Sequence, residues 1–72
     1  MNKSKRTKLV HEGRYVAEVD VELIQDDTDW SPYLTPEDAF KLDDVRAALR
    51  RGDLHAASNL ARVFELRPVA SR

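Results

Sequence analysis

The sequence predicts a single α+β domain in which an N-terminal β-hairpin is packed by two helices and followed by an extended C-terminal segment. Three observations favour this fold class. Residues 15–24 alternate apolar and polar side chains, which is typical of a half-buried strand. Residues 36–51 and the stretch from Leu54 to Phe64 carry apolar side chains at helical spacing. Residues 50–53 separate them with a helix stop followed by a helix start.

The hairpin is the first predicted element. One face of its second strand is apolar, with Tyr15, Ala17, Val19, Val21 and Leu23, and the other is acidic, with Glu18, Asp20 and Glu22. A shorter strand over residues 7–11 precedes it, and Glu12-Gly13 predicts the tight turn between the two. The odd-numbered face must be covered, and the helices are the available cover.

The segment after the hairpin has two interpretations. Residues 25–29 read as a polar turn. Residues 30–34 are either a short third edge strand or an extended loop, because Pro32 lacks the amide hydrogen that an inner strand needs.

The first helix begins after Thr35, a capping residue followed by Pro36 and two acids in the first turn. Its apolar stripe comprises Ala39, Leu42, Val45 and Leu49. Asp43 and Asp44 favour helix starts, so the sequence leaves open whether this helix breaks there.

The second helix begins after Asp53 and has a stripe of its own, with Leu54, Ala57, Leu60, Ala61 and Phe64. Pro68 cannot continue a helix. Residues 65–69 are therefore predicted to be extended, with a return to the hairpin edge as one interpretation.

Charge divides the chain more strongly than its formal net charge of -1 suggests. Residues 1–8 carry four bases and no acid, whereas residues 17–34 carry six acids and no base. We interpret residues 1–8 as a flexible basic arm, residues 9–69 as the domain and residues 70–72 as a tail. The alternative for the arm is that it folds back along the acidic surface.

Composition excludes several classes of protein. With 72 residues and no cysteine, the chain has neither a disulfide framework nor thiolate metal ligands. It has no apolar run of membrane-spanning length, and we expect it in the cytoplasm. A core this small often needs a partner or self-association to be stable.

Recognisable catalytic chemistry has little support. His11 and His55 belong to no metal-ligand or nucleophile-base spacing, and two glycines cannot build a phosphate loop. Asp27, Asp29 and Ser31 have calcium-loop spacing, but proline occupies the place of the required glycine. We expect no catalytic residues, no cofactor and no metal site, and therefore a protein that is not an enzyme.

Two binding hypotheses remain. The helix pair resembles a helix-turn-helix unit, in which Asn59 and Arg62 would read bases while Arg46 and Arg50 hold phosphates. A slightly negative net charge disfavours this nucleic-acid hypothesis.

The second hypothesis concerns Trp30 and Tyr33, two large rings on a proline-containing edge. They either cover the core or anchor a protein partner that docks by strand addition.

Residues 30–34, 42–46 and 50–54 together carry a resemblance. Over residues 9–69 the chain resembles short, mostly uncharacterised bacterial proteins, some of which are regarded as antitoxin-like. The resemblance implies a bacterial cytoplasmic setting and a role as a small binding partner. The leading hypothesis is thus a small protein-interaction module, antitoxin-like, and the alternative is a helix-turn-helix-like regulator that binds nucleic acid.

Overall fold

The fold was obtained as a computed structural model that describes residues 2–25 and 33–70. Its elements are β1 (Asn2–Glu12), β2 (Tyr15–Gln25), β3 (Tyr33–Leu34), α1 (Pro36–Arg51), α2 (Leu54–Leu60) and β4 (Arg62–Glu65). The predicted α+β class is confirmed, with an N-terminal hairpin, two helices and a C-terminal segment.

The hairpin is longer than the sequence predicts. β1 and β2 pair antiparallel from Asn2↔Gln25 to Glu12↔Tyr15, so the basic segment predicted as a flexible arm is a strand from Asn2 onward. Its pairing explains the difference, because the register sets the basic strand beside the acidic one and brings Lys5 opposite Glu22. This long-range pairing is absent from the local pattern of residues 2–8.

The hairpin turn consists of residues 13–14, one position later than predicted. Gly13 has a φ of 59°, and no other residue of the described chain except Gly52 has a positive φ. A glycine with positive φ at the first of two turn positions is typical of a type II′ turn, whose twist suits antiparallel strands.

β2 is the central strand of the sheet. β1 follows one of its edges, while the other edge holds β3 at residues 23–24 and β4 at residues 15–18. The edge-strand interpretation thus holds for Tyr33-Leu34, and Trp30 lies outside the described residues. The predicted return to the hairpin edge also occurs, beginning at Arg62 instead of residue 65.

Both helices start at the predicted caps. The Thr35 hydroxyl accepts a hydrogen bond from the Asp38 N–H at 3.1 Å, and the Asp53 carboxylate accepts one from the Ala56 N–H at 3.1 Å. Gly52, with a φ of 74°, ends α1 in the left-handed conformation. The helix runs through Asp43 without a break.

The second helix is shorter than predicted. α2 ends at Leu60, and Ala61 is already extended, with φ -157° and ψ 170°. Arg62 and Phe64 therefore lie on β4, because pairing with β2 replaces the helical continuation that their spacing indicates.

The core lies between the odd-numbered face of β2 and the two helices, as predicted. Its buried residues are Val10, Ala17, Val19, Val21, Val45, Ala48, Leu49 and Ala57. None is larger than leucine, so each contributes only a modest hydrophobic area. Helices occupy this side of the sheet, and the even-numbered side of β2 is the face away from them.

Neither helix within the described residues combines the length and apolarity that crossing a membrane requires.

Candidate protein-interaction face

The side of the sheet away from the helices is the candidate site, here called the open sheet face. Directly opposite residues of antiparallel strands share a face, so the register places the even-numbered residues of β2 beside odd-numbered residues of β1. The face comprises Lys3, Lys5, Thr7, Leu9 and His11 of β1, Val16, Glu18, Asp20, Glu22 and Ile24 of β2, Tyr33 of β3, and Arg62 and Phe64 of β4.

A polar network that spans three strands occupies the middle of this face. Arg62 donates from Nε to Glu18 Oε1 at 3.0 Å. It donates from its two terminal nitrogens to the Asp20 carboxylate at 3.1 and 2.9 Å. The Thr7 hydroxyl completes the network with a hydrogen bond to Asp20 Oδ1 at 3.3 Å. A planar guanidinium matches a carboxylate in this two-bonded way, which fixes geometry as well as charge.

Electrostatics in the network follow from these contacts. Hydrogen bonds from Arg62 lower the pKa of Asp20, and the hydrogen bonds to Asp20 and Glu18 raise the pKa of Arg62. Asp20 is exposed, so the network contributes little to the free energy of unfolding. Its effect is to neutralise two of the three carboxylates of β2 and to link β4 to β2 across this face.

An apolar patch lies beside the network, at the turn end of the hairpin. Val16 is opposite His11 on one side and Phe64 on the other, and Leu9 is diagonal to it. Leu66 extends the β4 ladder by donating its N–H to the Arg14 carbonyl at 2.6 Å. The exposed fractions are 65% for Leu9, 48% for Phe64 and 47% for Leu66.

The opposite end of the open sheet face holds Tyr33, one of the two predicted partner-binding residues. Tyr33 pairs with Ile24 and remains 47% exposed. Its ring thus lies on an edge strand without being enclosed in the core, which is the arrangement that a partner anchor requires. Trp30, the other predicted residue, falls outside the described residues.

The four predicted nucleic-acid residues do not share a surface. Arg46 and Arg50 both contact Glu12, at 3.6 and 3.2 Å. Arg62 lies on β4 in the network described above, and Asn59 alone remains exposed on α2. With seven residues, α2 is about 10 Å long. The α2 face that was predicted to contact bases therefore lacks Arg62.

Sequence reasoning missed the apolar patch. Phe64 has a place in the predicted helical stripe, although residues 64–67 also alternate apolar and polar side chains. That alternation is the signal that predicts a strand. For Leu9 the signal is weaker, because a single apolar residue among bases and polar residues indicates no particular face.

Within residues 2–25 and 33–70, no group of three histidine or acidic side chains is arranged to hold a metal ion. The calcium-like spacing at Asp27, Asp29 and Ser31 lies outside that part of the chain.

Comparison of the chain with protein-family models, with curated proteins and with solved structures gave no match. The residues and geometry of the open sheet face are therefore the basis for assigning a function.

Proposed function

We propose that this chain is a small non-enzymatic protein-interaction module that binds a protein partner through the open sheet face. One observation carries the proposal. Of the seven large apolar side chains exposed in the described structure, Leu9, Tyr33, Phe64 and Leu66 lie on this side of the sheet, and all of these but Tyr33 lie at its turn end. Clustered apolar exposure of this kind marks binding surfaces, whereas scattered single residues do not.

The chemistry of the patch suits an anchor. Phe64 and Leu9 are larger than the valines and alanines that fill most of the core. Burying such a side chain from full exposure is worth about 1.5–3 kcal/mol, and roughly half of that remains to be gained at Leu9 and Phe64, which are 65% and 48% exposed. Aromatic side chains that an interface shields from water usually contribute a large part of its binding free energy.

The polar network supports the same role. Hydrogen bonds between β4 and β2 join Arg62 to Glu18 and Asp20 in the chain without a partner. These side chains are therefore already ordered when a partner binds the apolar patch. Binding then loses less conformational entropy.

The proposal is tested by capturing the partner from the native cell with the tagged chain and with two matched variants. Phe64→Asp places a charge in the patch, and Phe40→Asp changes an equally large ring, 66% exposed, on α1 away from the sheet. We expect capture to fall at least tenfold for Phe64→Asp and to persist for Phe40→Asp, with both variants folded by circular dichroism.

A partner that binds Phe64→Asp as well as the parent chain would refute the open sheet face as the binding surface. Equal loss in both variants would show a general effect of added charge, and would refute it too. A photo-crosslinking residue at Leu9 then locates the contact on the partner by mass spectrometry.

The antitoxin-like form of this function rests on the resemblance carried by residues 30–34, 42–46 and 50–54. If the gene lies beside one for a small toxin, co-expression of this chain with that toxin should restore the growth of the cells that the toxin inhibits. Phe64→Asp should abolish the rescue and Phe40→Asp should leave it intact.

A further inference from the structure

The outer edge of β1 is a row of backbone groups without a strand partner among the described residues. β1 is the end strand of the sheet, with β2 on its inner side. The Glu22 N–H points away from β1, to Asp38 Oδ2 at 2.7 Å, so the even-numbered residues of β2 direct their backbone groups away from β1. The register pairs them with the odd-numbered residues of β1, which therefore direct theirs outward.

This edge is long enough to accept a strand. β1 has 11 residues, and its outward backbone groups belong to Lys3, Lys5, Thr7, Leu9 and His11. Successive outward residues are spaced by about 7 Å, the repeat of an extended partner chain. Proteins that bind peptides by strand addition use such an edge, and proteins that avoid it place charges there.

The charges on β1 differ from those on the rest of the chain. Seven other cations of the described residues lie within ion-pair distance of a carboxylate: Arg14, Lys41, Arg46, Arg50, Arg51, Arg62 and Arg67. Among the same residues, no carboxylate lies within that distance of the four β1 cations Lys3, Lys5, Arg6 and Lys8. Lys3 and Lys5 share the open sheet face, while Arg6 and Lys8 lie opposite Val21 and Val19 on the other side.

A second copy of β1 is a poor occupant of this edge in the registers centred on residues 5–8. An antiparallel pairing centred on Lys5, Arg6 or Lys8 sets that cation against its own copy. Pairing centred on Thr7 sets Arg6 against Lys8 twice. Like charges directly opposite destabilise a strand pair, so the basic residues disfavour self-association in all four registers.

We propose that the outer edge of β1 binds an extended acidic segment of a partner protein by strand addition. The outward amides and carbonyls hold the partner backbone, and Lys3, Lys5, Arg6 and Lys8 pair with carboxylates on both sides of the added strand. This inference rests on the proposed function and names the chemistry of its partner.

The experiment uses the full chain and a blocked peptide of about ten residues in which pairs of glutamates alternate with pairs of threonines, so that both faces of the added strand carry carboxylates. Binding is followed by amide chemical shifts and by hydrogen exchange. We expect slower exchange at the outward amides of Lys5, Thr7 and Leu9. Replacing each glutamate of the peptide by glutamine should weaken binding on the order of tenfold. N-methylating every peptide nitrogen should abolish it, because both edges of the peptide then lack backbone donors.

A matched pair of variants tests the protein side. Lys5→Gln with Lys8→Gln removes one cation from each side of β1, and Arg51→Gln with Arg67→Gln makes the same change in net charge elsewhere. We expect the first pair to weaken peptide binding about tenfold and the second to change it less than twofold.

Three outcomes would overturn the inference. Equal binding of the N-methylated peptide would show charge attraction without strand pairing. Slow exchange of the outward amides without peptide, together with a dimer in sedimentation, would assign the edge to a second copy. Tighter binding of duplex DNA to the same amides would assign it to nucleic acid. If the peptide fails while Phe64-dependent capture persists, only the edge inference fails and the proposed function stands.

Discussion

The carboxylate of Asp38, in the first turn of α1, accepts a hydrogen bond from the backbone N–H of Glu22 at 2.7 Å. Residues 19–22 of β2 lie between the segments that pair with β3 and β4, so this amide has no strand partner on that side among the described residues. Asp38 fills the gap in the ladder and ties the start of the helix to the centre of the sheet. A buried amide without such an acceptor costs free energy.

Asp38→Ala should therefore destabilise the fold by about 1–2 kcal/mol, because the Glu22 amide loses a charged acceptor. Urea unfolding measures the change in free energy. Glu37→Ala is the control, since it removes the neighbouring exposed acid of the same helical turn and the same interaction with the helix dipole. Equal losses in both variants would show that helix electrostatics, and not the sheet contact, is responsible.

Acid should weaken the network on the open sheet face. The pKa of Asp20 is lowered, chiefly by the hydrogen bonds from Arg62. Because the folded-state pKa is lowered, the ionised Asp20 carboxylate stabilises the fold fully above its unfolded-state pKa of about 3.9. This stabilisation is lost as the pH falls through the folded-state pKa. In Arg62→Gln the pKa of Asp20 should return toward its usual value, which carboxyl carbon NMR measures directly. An unchanged titration in that variant would contradict the assigned cause.

Core packing makes its own prediction at Val19 and Val45, both fully buried between the sheet and α1. Val19→Ala removes two methyl groups and should cost about 2 kcal/mol in free energy of unfolding. Val69→Ala, at a residue that is 90% exposed, should change it by less than about 0.5 kcal/mol. Thermal and urea unfolding of the pair check this, and a small effect at Val19 would mean that helices do not cover the odd-numbered face.

The nucleic-acid alternative has a specific test. Arg46 and Arg50 are engaged with Glu12, so we expect that Arg46→Ala with Arg50→Ala does not change the affinity for duplex DNA at about 20 or 200 mM salt. Binding that is steep in salt and lost in this double variant would instead restore the helix-turn-helix hypothesis.

Local features of the sequence predicted much of the architecture. Thr35, Gly52 and Asp53 act within one helical turn of their own position, so their residue types were sufficient to place both ends of α1 and the start of α2. The alternation of β2 likewise shows which of its faces is apolar, and Val19 and Val21 are buried as that pattern predicts.

Contacts between distant residues decided the rest. Arg62 has a helical spacing in the sequence, but pairing with Glu18 places it on a strand and removes it from the predicted reading face. Residues 2–8 carry no alternation of their own, and only the facing acidic strand makes them part of the sheet. Tyr33 was predicted at an edge from its neighbours, whereas the patch around Phe64 exists only because β4 pairs with β2.

The sequence by itself determined the fold class, the caps and the apolar face of β2, because these depend on residues a few positions apart. Only the tertiary structure decided which residues share the open sheet face, because that depends on the register between strands. In the β2 and β4 pairs the paired residues are 44 to 50 positions apart in the sequence, and no local pattern fixes such a register.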